Sequence, residues 1–145
     1  MKKLLVITAI STLLSACATV PMASVEKSNE LKQFNSPAQE HSGIYIYRPN
    51  SVLGAALKKN IYLDDQLIGE TAKGVFFHKL VSPGTHKVAT ESEFSDNAIV
   101  FSTVGGQNYF VRQYMKIGAF VGGAGVELVD EKQAKMEMAD VHLAK

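Results

Sequence analysis

Between Gly43 and Val129 the apolar residues come in short segments, rich in β-branched and aromatic side chains, and turn residues separate them. No segment there sustains a helical period, so the chain is confined to a fold of short strands and tight connections. Ile44-Tyr45-Ile46-Tyr47-Arg48 reads as a strand stopped by Pro49. Asn50 to Lys58 reads as a loop with one helical turn at Leu53 to Leu57. Asn60 to Leu63 and the apolar segment that ends at Glu70 flank an Asp64-Asp65-Gln66 turn, which predicts a β-hairpin. Val75 to Leu80 is a further strand, followed by a Ser82-Pro83-Gly84 turn and an alternating strand from Thr85 to Glu91. Ile99 to Ser102 and Tyr109 to Tyr114 flank Gly105-Gly106 and predict a second hairpin. A Gly-rich stretch runs from Met115 to Val126, with Glu127 to Val129 as the last strand.

About seven strands of this kind indicate a sandwich or small barrel, and the expectation is a mainly β, small β-sandwich. A short helix closes the chain. Asp130 is placed to cap it, Gln133 stands where a capping box wants Glu or Gln, and Ala134, Met138 and Val141 share one helical face.

The first 16 residues have a different character. Met1-Lys2-Lys3 precedes a short apolar run, and Leu14-Ser15-Ala16-Cys17 follows. A basic start, an apolar stretch too short to span a bilayer and small residues at its end make a secretory signal. Leu14-Ser15-Ala16-Cys17 resembles the bacterial lipobox, which implies cleavage before Cys17, a diacylglycerol on its thiol and an acyl group on the new amino terminus. Two or more chains make a stable anchor where one does not. Cys17 is the only cysteine, so no internal disulfide competes for it. Ala18 follows, which by similarity to Gram-negative sorting implies transfer to the periplasmic face of the outer membrane.

Residues 1–16 are therefore expected to be a cleaved signal, 17–42 a flexible lipid-anchored tether, and 43–145 the β-sandwich domain. The tether reading rests on Pro21, Ser24, Ser28, Asn29, Asn35, Ser36 and Pro37 with no sustained period. A flexible chain of roughly 25 residues spans ~25–30 Å. Of the 15 basic residues, Lys2 and Lys3 lie in the signal, leaving 13 against 14 acidic ones. A chain so balanced lacks the basic footprint of a nucleic-acid binder.

No constellation in the mature chain specifies a reaction. Gly122-Gly123-Ala124-Gly125 lacks the Lys and Ser/Thr of a phosphate loop and reads as a loop or tight β crossing. His41, His78, His86 and His142 have no metal-pair spacing; His78 and His86 could meet across the Pro83-Gly84 turn, but two ligands do not make a metal site. Asp64 and Asp65 are explained as turn residues, and Glu91, Glu93 and Asp96 as an exposed acidic loop. No serine sits in a nucleophile elbow. Tyr45, Tyr47, Tyr62, Tyr109 and Tyr114 all fall on strands, where they read as half-buried tyrosines or, together, as a stacking surface for sugar or peptide. No catalytic residue, metal or cofactor is assigned.

Taken in order, Gly43-Ile44-Tyr45-Ile46-Tyr47-Arg48-Pro49, Ile61-Tyr62-Leu63-Asp64-Asp65-Gln66-Leu67-Ile68-Gly69, Val81-Ser82-Pro83-Gly84-Thr85-His86 and Gly106-Gln107-Asn108-Tyr109-Phe110 resemble the bacterial lipoprotein family called domain of unknown function 2846. The middle is also similar to the PEGA-type module, an immunoglobulin-like β fold, although Gln66 stands where that pattern has Gly. The resemblance implies a small β-sandwich on a lipid anchor and brings no activity with it. The expected function is non-enzymatic: an envelope lipoprotein that contacts a protein or glycan, with a small-ligand-binding stress or surface module as the alternative.

Overall fold

The computed structural model describes residues 18–91, 97–117 and 122–145. The elements are α1 (Val25–Leu31), β1 (Ser42–Arg48), β2 (Lys59–Leu63), β3 (Gln66–Thr71), β4 (Val75–Val81), β5 (Gly84–Thr90), β6 (Ala98–Thr103), β7 (Asn108–Lys116), β8 (Gly123–Val129), α2 (Glu131–Glu137) and β9 (His142–Leu143). They form two sheets, one of order β8-β7-β1-β4-β9 and one of order β3-β2-β5-β6. The expected mainly β sandwich is what the chain forms.

β1 explains the arrangement. All seven of its residues are buried. Successive side chains of a strand point to opposite faces, so Ile44 and Ile46 enter the core between the sheets with Ile61, Leu63, Val88, Phe101, Val111 and Val126. Tyr45 and Tyr47 enter a second core on the opposite face with Phe76, Phe110, Ala134, Met138, Val141 and Leu143. A strand buried on both sides belongs at the centre of its sheet. β1 accordingly runs parallel to β7, with Tyr45 beside Phe110, and antiparallel to β4, with Ile46 beside Phe77.

The Asp64-Asp65 hairpin forms as expected. Both residues have positive φ, 50° and 65°, the pattern of a two-residue type I′ turn, and Asp tolerates this region better than most side chains. The C-terminal helix also forms. The Asp130 side chain accepts from the N–H of Gln133 at 2.9 Å, while the Gln133 side chain reaches forward to Glu137 instead of back to the cap. Val141 lies past the helix end but is fully buried against it.

The expected second hairpin is corrected. β6 and β7 do not form a hairpin about Gly105-Gly106, because β6 pairs with β5 and β7 with β1 and β8. The connection crosses between sheets over residues 38–41. A Cβ at Gly105 would lie 1.8 Å from the Gln39 carbonyl oxygen, and the Gly106 N–H donates to His41 O at 2.8 Å. The Ser82-Pro83 turn likewise passes from one sheet to the other, so His78 on β4 and His86 on β5 never face each other. The glycine run is not a loop throughout: β8 starts at Gly123. A Cβ at Gly125 would meet the Tyr114 ring at 2.5 Å, so glycine permits this close cross-strand approach.

The stretch read as a tether differs most. Residues 18–41 form a strap across the tyrosine-bearing face of the five-stranded sheet. Ser24 caps α1, Met22 bridges Ala144, and Ala23, Leu31 and Phe34 pack on the second core. Apolar residues too sparse to show a period are enough to hold the segment, because the exposed side of Tyr45 and Phe110 awaits a cover.

Candidate functional site

Cys17, the lipidation residue expected from sequence, lies outside the described residues. The chain just after it is firmly held. Val20 is buried with Ala72, Val75, Phe77 and Ala144, and Ala18 and Ile68 pack against this cluster. The Ala23 N–H donates to Leu143 O and the Lys145 N–H to Pro21 O, both at 2.9 Å. The Ser28 hydroxyl, 1% exposed, accepts from the Leu143 N–H at 3.1 Å. The two ends of the chain thus close on each other at the β4–β9 edge of the larger sheet.

Under the strap lies a cleft of about 240 Å³ lined by Leu31, His41, Tyr45, His78 and Asn108 among others. Asn108 donates to the carbonyls of Phe34 and Asn35, each at 3.1 Å. Its buried Oδ1 accepts no hydrogen bond from the described residues. Glycine at 43 makes room for this group, since a Cβ there would lie 2.2 Å from Asn108 Oδ1 and 3.2 Å from His78 Nε2. The His78 ring lies against Tyr45, tilted by 39° with centroids 4.4 Å apart. Burial, helped by the positive charges of Lys27 and Lys79, pushes its imidazole down to about 4, so it is neutral near pH 7. Burial also raises the Tyr45 phenol to about 12.

At the far end of β1 the Ile44–Ile46 row continues into Arg48, which is 2% exposed. Its guanidinium donates to Leu57 O at 2.8 Å and Gly54 O at 2.5 Å. It therefore pins the 50–58 loop over the end of the core, and burial lowers its pKa. Nearby, Arg112 lies between Glu127 and Glu137 at 2.5 and 2.8 Å, and Glu137 accepts from the Tyr47 hydroxyl at 2.6 Å. Burial works against the Glu137 carboxylate, but Tyr47, Gln133 and Arg112 outweigh it and hold its pKa down. A cleft of about 320 Å³ is lined by Arg48, Arg112, Gln113 and Glu127. With Glu137 adjoining, two cations face two anions, so this cleft has no net pull on a charged ligand.

The remaining sequence candidates are dispersed. His86 bonds Asp64 at 2.7 Å and the Ser82 carbonyl at 2.8 Å, while Asp65 pairs with Lys87. These contacts tie the β2–β3 turn to β5. Among the described residues, no three His, Cys, Asp or Glu side chains converge as metal ligands would. Glu93 and Asp96 lie outside the described residues. The tyrosines form no common surface: Tyr45 and Tyr47 are under the strap and α2, and Tyr62 is on the outer face of the smaller sheet.

That smaller sheet supplies a feature no motif announced. Its outer face carries Leu67, Tyr62, Ala89 and Ala98 in one register row, and beside it Val100 opposite Lys87, with Leu67 58% and Val100 65% exposed. One of its outer strands, β6, reads Ala98-Ile99-Val100-Phe101-Ser102-Thr103, without charge, proline or glycine. The described residues pair it on one side only, with β5. Other outer strands are blunted: β3 has an extra residue, Ile68, where its pairing with β2 shifts register, and carries Gly69 and Glu70, β8 carries Glu127, and β9 has two residues.

A family model described as a protein of unknown function (DUF2846) matches residues 38–124. The chain belongs to this family. The matched span runs from the end of the strap through β1 to the start of β8, which is most of both sheets. An uncharacterized protein of Haemophilus influenzae is 54% identical over 135 residues, covering 93% of this chain and 80% of that protein. No solved structure matches the chain.

Proposed function

We propose that this member of the DUF2846 family is a lipid-anchored, non-enzymatic envelope protein whose β-sandwich binds an extended segment of an envelope protein along β6. The observation that supports this is the edge itself. An uncharged six-residue strand that the described residues pair on one side only is a template for strand addition, in which main-chain hydrogen bonds supply affinity and alternate side chains supply selectivity. Natural sheets usually protect such an edge with charge, proline or a bulge. The resemblance of Leu14-Ser15-Ala16-Cys17 to a lipobox supports a membrane address, and Ala18 supports the outer membrane by the sorting similarity.

The test is a photoreactive residue at Ser102 in the full-length protein in living cells. A single reproducible adduct, lost on Val100→Lys and absent with the same group at exposed Lys132, is the expected result. Equal adducts from both positions would refute the edge. The cleft with the unpaired Asn108 Oδ1 supports the second reading, a small-ligand module, which predicts ligand-induced shifts of the His78 ring resonances instead.

A further inference from the structure

The closed strap bears on where the domain stands. It rests on the reading that Cys17 is acylated. Consecutive Cα atoms are about 3.8 Å apart, and Ala18 is already packed against the Val20, Ala72 and Ala144 cluster. No free chain therefore separates the anchor from the folded body. We propose that the domain stands directly on the bilayer, with the surface around Ala18 as its lipid-facing side and phospholipid headgroups as the partner of that surface.

The surroundings fit headgroups. Lys73 follows buried Ala72, and Lys145 follows buried Ala144. Lys145 is exposed and its backbone is bonded to Pro21, three residues from Ala18 in the chain. Each lysine near an anionic surface contributes roughly 1 kcal/mol of attraction. The opposite end of the larger sheet is far away. β4 runs from Val75, in the anchor-side cluster, to Val81, which pairs with Ser42, and the Ser42 hydroxyl donates to Val104 O. Six strand steps put Val104 roughly 20 Å from the anchor side.

The experiment uses full-length protein purified with its acyl chains and reconstituted into phosphatidylethanolamine and phosphatidylglycerol vesicles. Acylation consumes the Cys17 thiol, so Lys73→Cys, Lys145→Cys and Val104→Cys each carry one reactive thiol for a fluorophore. Intact mass first reports whether Cys17 is acylated; an unmodified mass refutes the anchor, and with it this proposal. With acylation established, headgroup nitroxide lipids should quench the labels at 73 and 145 and leave the label at 104 bright. Equal quenching, or none, at all three positions overturns the standing orientation while leaving the anchor intact.

Discussion

Phe34 offers a direct measure of what holds the strap down. It lies two residues past the α1 C-cap, Lys32, in the left-handed region with φ of 54°, a conformation that favours glycine. For a residue with a Cβ, that conformation costs roughly 1–2 kcal/mol. Phe34 stays there because its ring is half-buried edge-on against Tyr45 at 5.2 Å and Phe110 at 5.7 Å, with Lys135 Nζ 5.4 Å from its centroid. Removing a fully buried phenylalanine ring costs about 3–5 kcal/mol. The half-buried ring here should contribute about 2–3 kcal/mol. Phe34→Ala loses that packing and keeps the strain. Phe34→Gly loses the packing and relieves about 1 kcal/mol of strain, partly offset by the greater freedom of glycine in the unfolded chain. Glycine should therefore be at least as stable as alanine here, reversing the order seen inside helices and strands. Urea unfolding of the mature chain with Cys17→Ser reads this out. At a slope of about 1.5 kcal/mol per M, the alanine variant should lose roughly 1.5–2 M of midpoint. An unchanged midpoint, or a glycine variant clearly below the alanine one, would refute the account of the strap.

Two further outcomes follow from polar side chains. Gln113 is fully buried, with its amide between Thr71 at 2.5 Å and Thr90 at 2.7 Å; both threonine hydroxyls also reach backbone carbonyls, of Lys59 and Asn60. Because those acceptors remain, Gln113→Leu should cost about 1 kcal/mol or less and Gln113→Ala about 2–3 kcal/mol, measured by thermal unfolding. His86 has an acceptor on each ring nitrogen, which favours the imidazolium. Partial burial opposes the charge, but Asp64 and the Ser82 carbonyl outweigh it and raise the pKa above 6.5. For Asp64, burial is likewise outweighed, by the Lys87 N–H and His86, and its pKa is lowered. The His86 contribution is thus complete below pH 6.5 and fades as pH rises through its folded pKa. That of Asp64 is present above its unfolded pKa and fades as pH falls. An NMR titration should place the His86 midpoint above 6.5 and move it down in Asp64→Asn; an unmoved midpoint would separate the pair.

Local chemistry made part of this molecule legible in advance. The Asp64-Asp65 hairpin, the strand stopped at Pro49 and the Asp130 cap depend on residues within a few positions of each other, where dihedral preference and a single hydrogen bond decide the outcome. Partnership between strands is different. Gly105-Gly106 looks like a hairpin turn, yet β7 pairs with β1 because only that placement buries Ile44 and Ile46 on one side and Tyr45 and Tyr47 on the other. Gln113 could have been flagged, as it alternates with buried Val111 along β7. Arg48 and Asn108 could not, because the carbonyls they bind are supplied by segments distant in the fold.

From the chain alone came a mainly β sandwich, and with it the expectation of a membrane address at Cys17. The tertiary structure decided that the stretch after that cysteine is a strap and not a tether. Its few apolar groups carry no readable period; they hold because tyrosines and phenylalanines of a completed sheet form the surface they cover, and that surface exists only once β1, β4 and β7 have come together.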